Sequence, residues 1–165
     1  MRLKFCRCPH HDAGTKAGNG ASVSEAQTGM IAGSCLCGQV AFQVWGPFAR
    51  FVLCHCSRCR KATAAAHAAN LFTGPDHIQW LRGRDLIRRY QIPEARSFSK
   101  CFCTHCGSAL PYVSRNGEHL IVPAGVLDGD PGVVPDRQIF WDSRACWYEA
   151  GLAAPRFAEY PPAAG

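Results

Sequence analysis

From residue 39 onward, apolar and polar positions alternate in short runs, the period of half-buried strands. In QVAFQVW (39–45), Val40, Phe42 and Val44 fall on one face. Further strands are predicted at RFVL (50–53), AANLF (68–72), DHIQWL (76–81), LIRRYQI (86–92), ALPYVS (109–114) and HLIVPAG (119–125). Gly46-Pro47, Gly74-Pro75, Gly83, Asn116-Gly117 and Asp130-Pro131 punctuate them. Asn116-Gly117 stands between two apolar runs, which predicts a hairpin. Only short helices fit, near residues 57–64 and 143–150. The pattern has no repeat of solenoid length. It describes a mainly β fold with short helices.

Residues 1–29 follow a different grammar. GTKAGNGASVSEAQTG is small, polar and without periodicity, so 1–29 is expected to be a disordered N-terminal tail before a domain at 30–162. Met30 is a second candidate start. Cys6, Cys8, His10 and His11 form a C-x-C-P-H-H run with two readings, a metal-binding stretch or a floppy thiol-rich tail.

Composition narrows the setting. A chain of 165 residues with 47% hydrophobic content suits one globular domain. No apolar run approaches the roughly 18 residues of a membrane span. The opening MRLKFCRCPHHDAG lacks the apolar core of a secretory signal, which points to the cytoplasm. The formal charge of +6 would invite nucleic acid, but metal-held thiolates would bring it to about +3, an ordinary surface. Neither a membrane nor a nucleic-acid partner is expected.

The eleven cysteines decide the chemistry. A disulfide scaffold is usually short, secreted and even in cysteine count. Here the count is odd, and most cysteines sit in C-x-C or C-x-x-C pairs. Such close partners bond one another only with strain, but both can reach one metal ion. Cys35-Leu36-Cys37-Gly38 and Cys103-Thr104-His105-Cys106-Gly107 each end on a glycine. A left-handed glycine there lets the chain curl so that amides face sulfur. The two clusters therefore look like halves of one closed four-thiolate site, Cys35, Cys37, Cys103 and Cys106, of the structural zinc kind.

The cluster Cys54-His55-Cys56-Ser57-Arg58-Cys59 differs, since Arg60 rather than glycine follows it. Cys54, Cys56 and Cys59 offer three thiolates, which leaves a fourth position for water or substrate in a catalytic zinc site. The alternative is a closed site completed by His55, His67 or Cys101. Arg58, Arg60 and Lys61 would favour ionised thiolates and could attract a carboxylate, or form a solvated basic turn. Cys101 reads as a spare or solvent-facing thiol, Cys146 as a core residue. His55 and His67 are candidate bases or, more plainly, packing histidines.

GSCLCGQVAF, CHCSRCRK and FCTHCGSAL, in this order, resemble the glutathione-dependent formaldehyde-activating enzymes, also called the centromere protein V family. GVLDGDPGVVPDRQIFWDSRACW and PRFAEYP extend the likeness across about residues 30–162. The resemblance implies a zinc-stabilised β fold of the Mss4-like, or β-tent, type. It implies two zinc ions per chain, a structural one on Cys35, Cys37, Cys103 and Cys106 and a catalytic one on Cys54, Cys56 and Cys59. The implied activity is that of a carbon–sulfur lyase joining an aldehyde, formaldehyde in the family, to glutathione as co-substrate. Arg58, Arg60 and Lys61 would then face the glutathione carboxylates. The chain departs from the family after Lys61, where Ala64 and His67 replace a glycine and an aromatic within the run ATAAAHAANL. A non-catalytic zinc module that carries glutathione or binds a macromolecule stays open, as do a redox-sensing cluster and iron in the four-thiolate site.

Overall fold

The computed structural model describes residues 29–162; the N-terminal cysteine–histidine run lies outside them. Among the described residues, eleven strands and two short helices follow in order. They are β1 (Ile31–Ser34), β2 (Ala41–Val44), β3 (Arg50–Cys54), α1 (Ser57–Thr63), β4 (Ala68–Thr73), β5 (Ile78–Arg82), β6 (Ile87–Gln91), β7 (Ser99–Cys103), β8 (Ala109–Leu110), β9 (Tyr112–Val113), β10 (Leu120–Pro123), β11 (Arg137–Ile139) and α2 (Tyr148–Leu152).

They build three sheets, ordered β1-β2-β5, β11-β3-β4-β10-β9 and β6-β7-β8. Every pairing is antiparallel except β11 beside β3. The predicted strands all form, and Val40, just before β2, is completely buried together with Phe42 and Val44 of β2. Those side chains meet Leu71 of β4, Leu110 of β8, and Leu120 and Val122 of β10 in one core. Trp80 of β5 sets its ring edge-to-face against Phe42, with centroids 5.6 Å apart.

Asn116-Gly117 turns the chain from β9 into β10, closed by the Ser114 amide on the His119 carbonyl at 2.8 Å. The 109–114 run splits in two, because Pro111 has no amide to continue a ladder. Strands β1, β7 and β11 are additions to the sequence reading. In β7 the alternation is real, with Ser99, Cys101 and Cys103 buried and Lys100 and Phe102 less so. Among the described residues, no helix is long and apolar enough to cross a membrane.

Candidate metal centres and the adjoining cavities

The cysteines between β1 and β2, and those at the end of β7 and just after it, belong to two turns with one backbone pattern. The Cys35 amide donates to the Val40 carbonyl five residues on, and Cys103 does the same to Ser108, both at 3.0 Å. Gly38 and Gly107 sit at φ of 72° and 74°, the left-handed region where a Cβ is penalised. The curl gathers the sulfurs of Cys35, Cys37, Cys103 and Cys106 within 4.8 Å of one another. Cys35 and Cys37 Sγ are 3.3 Å apart, Cys37 and Cys103 Sγ 4.0 Å. A sulfur tetrahedron with bonds of about 2.3 Å to a central zinc has edges of roughly 3.8 Å, so the donor set fits the ion. The Val40 amide donates to Cys35 Sγ at 3.3 Å. Hydrogen bonding to Ser108 draws the Cys106 thiol down to about 5.

The second cluster is made within six residues. β3 ends at Cys54, the chain turns, and α1 begins after Cys56. Cys56 is the N-cap of that helix, its sulfur accepting from the Cys59 amide at 3.4 Å where serine or aspartate would normally serve. Cys54, Cys56 and Cys59 thereby bring three sulfurs within 4.8 Å. The hydrogen bond from Cys59 pulls the Cys54 thiol down to about 6, and Cys59, bonded to Cys54 and buried, is pushed up. Neighbouring thiols thus share protons, because adjacent thiolates repel. A divalent cation among them removes the repulsion, and soft sulfur donors suit zinc.

No fourth protein ligand joins this cluster among the described residues. His55 is fully buried and turned to the C-terminal segment. Its amide donates to the Ile139 carbonyl at 3.0 Å and its Nε2 lies 2.8 Å from Gln138 Oε1. The rings of His67, Trp141 and Tyr148 pack edge-on around it, with centroids 4.9–5.2 Å away. Cys101 corrects the expectation of a solvent-facing thiol: it points inward from β7 into the core, where burial raises its pKa. Cys146 corrects in the other direction. It is exposed, because only Ala145 of that apolar stretch turns inward. All nine described cysteines are free thiols.

A cavity of about 490 Å³ has Cys59 and Cys106 in its wall, touching both clusters. Ala62, Ala68, Ala69, Ala109, Pro123 and Tyr112 form much of the rest. A groove of about 500 Å³ adjoins it, sharing Ala62, Phe98 and Lys100. There Arg58 and Lys61 of α1 meet Arg89 of β6 and Lys100 of β7, over Phe102 and Ile92. Arg60 lies apart from both, half-buried, its Nε shielded and unpaired among the described residues. Arg89 and Lys100 escape a reading by motif, since they are brought to α1 only by the β6–β7 pairing; for Arg89 the signal was the polar half of LIRRYQI.

Two free-thiol clusters stand on a mainly β scaffold, one tying loops together and one beside a cavity, each a donor set that could hold a metal ion. The family model of the glutathione-dependent formaldehyde-activating enzymes matches residues 30–143. The chain belongs to that family. A protein of Halomonas elongata, named "Putative glutathione-dependent formaldehyde-activating enzyme", is 32% identical over 127 residues, 73% of this chain and 80% of its own. A crystal structure of a Rhodobacter sphaeroides protein superposes with a TM-score of 0.51 at 28% identity, over 64% of this chain and 98% of its own.

Proposed function

We propose that the chain is a zinc-dependent carbon–sulfur lyase that joins an aldehyde to glutathione, with formaldehyde as the family's aldehyde. The observation that carries this reading is the double position of Cys59, in the three-sulfur cluster and in the wall of a substrate-sized cavity.

The reaction adds the glutathione sulfur to the aldehyde carbon. A C–S bond forms and the thiol proton ends on the former carbonyl oxygen, so nothing is oxidised or reduced. Cys54, Cys56 and Cys59 would hold one zinc, which when bound supplies Lewis acidity toward a thiol or carbonyl. Cys35, Cys37, Cys103 and Cys106 would hold the second, whose role is structural. Arg58 and Lys61, at the groove beside the cavity, hold the two carboxylates of glutathione and aim its thiol at the cavity. The apolar walls exclude water and hold the adduct together. Residues 30–162 form the catalytic unit, and a cytoplasmic setting keeps the thiols reduced.

Two measurements test this. Native mass spectrometry of anaerobically purified protein is expected to show two zinc ions per chain, and exchange NMR faster interconversion of formaldehyde and its glutathione adduct. A single zinc without acceleration would point to the non-catalytic module. Cys56→Ser is expected to lose one zinc and the acceleration while the fold survives, since serine still caps α1. Arg58→Ala with Lys61→Ala is expected to raise the glutathione KM about tenfold with kcat little changed, more at low salt.

A further inference from the structure

We infer that the cavity beside Cys59 takes an apolar aldehyde, one carrying several carbons or an aryl ring; this rests on the reading of the site as a thiol–aldehyde lyase. The first argument is size. The cavity holds about 490 Å³, whereas a water molecule fills about 30 Å³ and formaldehyde has only two heavy atoms. A site for formaldehyde alone would leave most of that space to water.

The second argument is the wall. The charged side chain lining this cavity is Lys100, and its ammonium is already committed. It donates to the Ala62 carbonyl at 2.9 Å and lies 5.6 Å from the centre of the Phe102 ring, which belongs to the neighbouring groove. A tripeptide with two carboxylates laid in the cavity would meet neutral polar groups such as Asn70 and Ser108 but, among the described residues, no free cation to offset the lost hydration of its charges. The groove, with Arg58 and Lys61, is where those carboxylates find cations. Two adjoining compartments thus sort the halves of one adduct, the peptide to the cationic groove and the aldehyde's substituent to the apolar cavity.

The third argument is where the small residues stand. The alanine-rich run that departs from the family pattern supplies Ala62, Ala68 and Ala69 to the wall. In the β3–β4 register Ala68 lies opposite Cys54 and Ala69 opposite Leu53. Methyl groups therefore occupy the positions next to the cluster where larger side chains would fill the space.

The test has a binding arm and a turnover arm. Calorimetry on the zinc-loaded protein compares S-hexylglutathione with S-methylglutathione, thioethers that report the compartment without any reaction. The hexyl ligand is expected to bind at least about tenfold tighter, in line with the transfer of several methylenes from water. Exchange NMR with glutathione then compares hexanal with formaldehyde, and kcat/KM is expected to favour hexanal by a similar factor. Ala69→Phe and, as a second filling variant, Ala109→Leu should each collapse both ratios toward one, with near-ultraviolet circular dichroism showing the fold retained. Equal affinity for the two thioethers, or formaldehyde preferred while turnover is clear, overturns the inference and leaves the lyase reading standing. No turnover with any aldehyde overturns both.

Discussion

Single residues carry much of this molecule's local chemistry, and Ala64 shows it most plainly. It caps α1 in the left-handed region at φ 52°, its amide reaching the Arg60 carbonyl, where glycine is the usual occupant. Its Cβ crowds the backbone there, a cost of about 1 kcal/mol. Ala64→Gly is therefore expected to stabilise the metal-loaded protein by about that amount, raising its melting temperature by a few degrees in a calorimetric scan. An unchanged or lower melting temperature would mean that the alanine methyl makes a compensating contact. The left-handed state of Gly38 and Gly107 is legible in sequence, because a glycine placed after the second cysteine of a pair has a physical reason. The state of Ala64 is not, since alanine specifies no particular backbone. Cys56 doubles as helix cap and thiol for a similar reason: its sulfur can accept an amide hydrogen bond, a role that a ligand motif conceals.

At the level of elements, alternation was a reliable guide wherever it met a core. Phe42 shows the energetics: completely buried and edge-on to Trp80, it fills the junction between β2 and β5. Phe42→Ala is expected to cost 3–5 kcal/mol, read from the shift of the urea midpoint. The strands the pattern hides have identifiable causes. β7 runs through Cys101 and Cys103, which read as motif rather than as inward-facing apolar positions, although both are buried. β11 is exposed along its length and is held by parallel pairing to β3, a partner 85 residues earlier in register (Arg137 opposite Val52). No local pattern can announce such a pairing. The two thiol clusters are the opposite case, since Cys54, Cys56 and Cys59 are near in sequence and the glycine that ends each of the other two pairs marks them as like loops. Their approach within 4.8 Å is what the sequence led one to expect, whereas the cationic groove needed the β6–β7 ladder to assemble it.

Taken whole, the molecule is three small sheets that share one core, and the four-thiol cluster links the β1–β2 loop to the loop after β7. Joining residues 66 positions apart by metal constrains a long loop, so binding energy becomes folding energy. Cys37→Ser or Cys106→Ser is expected to lower the melting temperature by more than about 10 °C and to enlarge the response to a zinc chelator. Cys56→Ser should shift it far less, because its cluster closes only a short loop. That short loop has a support of another kind. His55 is clasped by Gln138 and Ile139 of β11 and enclosed by Trp141 and Tyr148, all more than 80 positions downstream. On a ribosome extending the chain at about 5–20 residues per second, Cys54, Cys56 and Cys59 would emerge roughly 4 to 18 seconds before the segment that braces them. During that interval the nascent chain displays three neighbouring thiols with no clasp behind them, so the order of synthesis gives oxidants and competing metals their earliest access to this cluster.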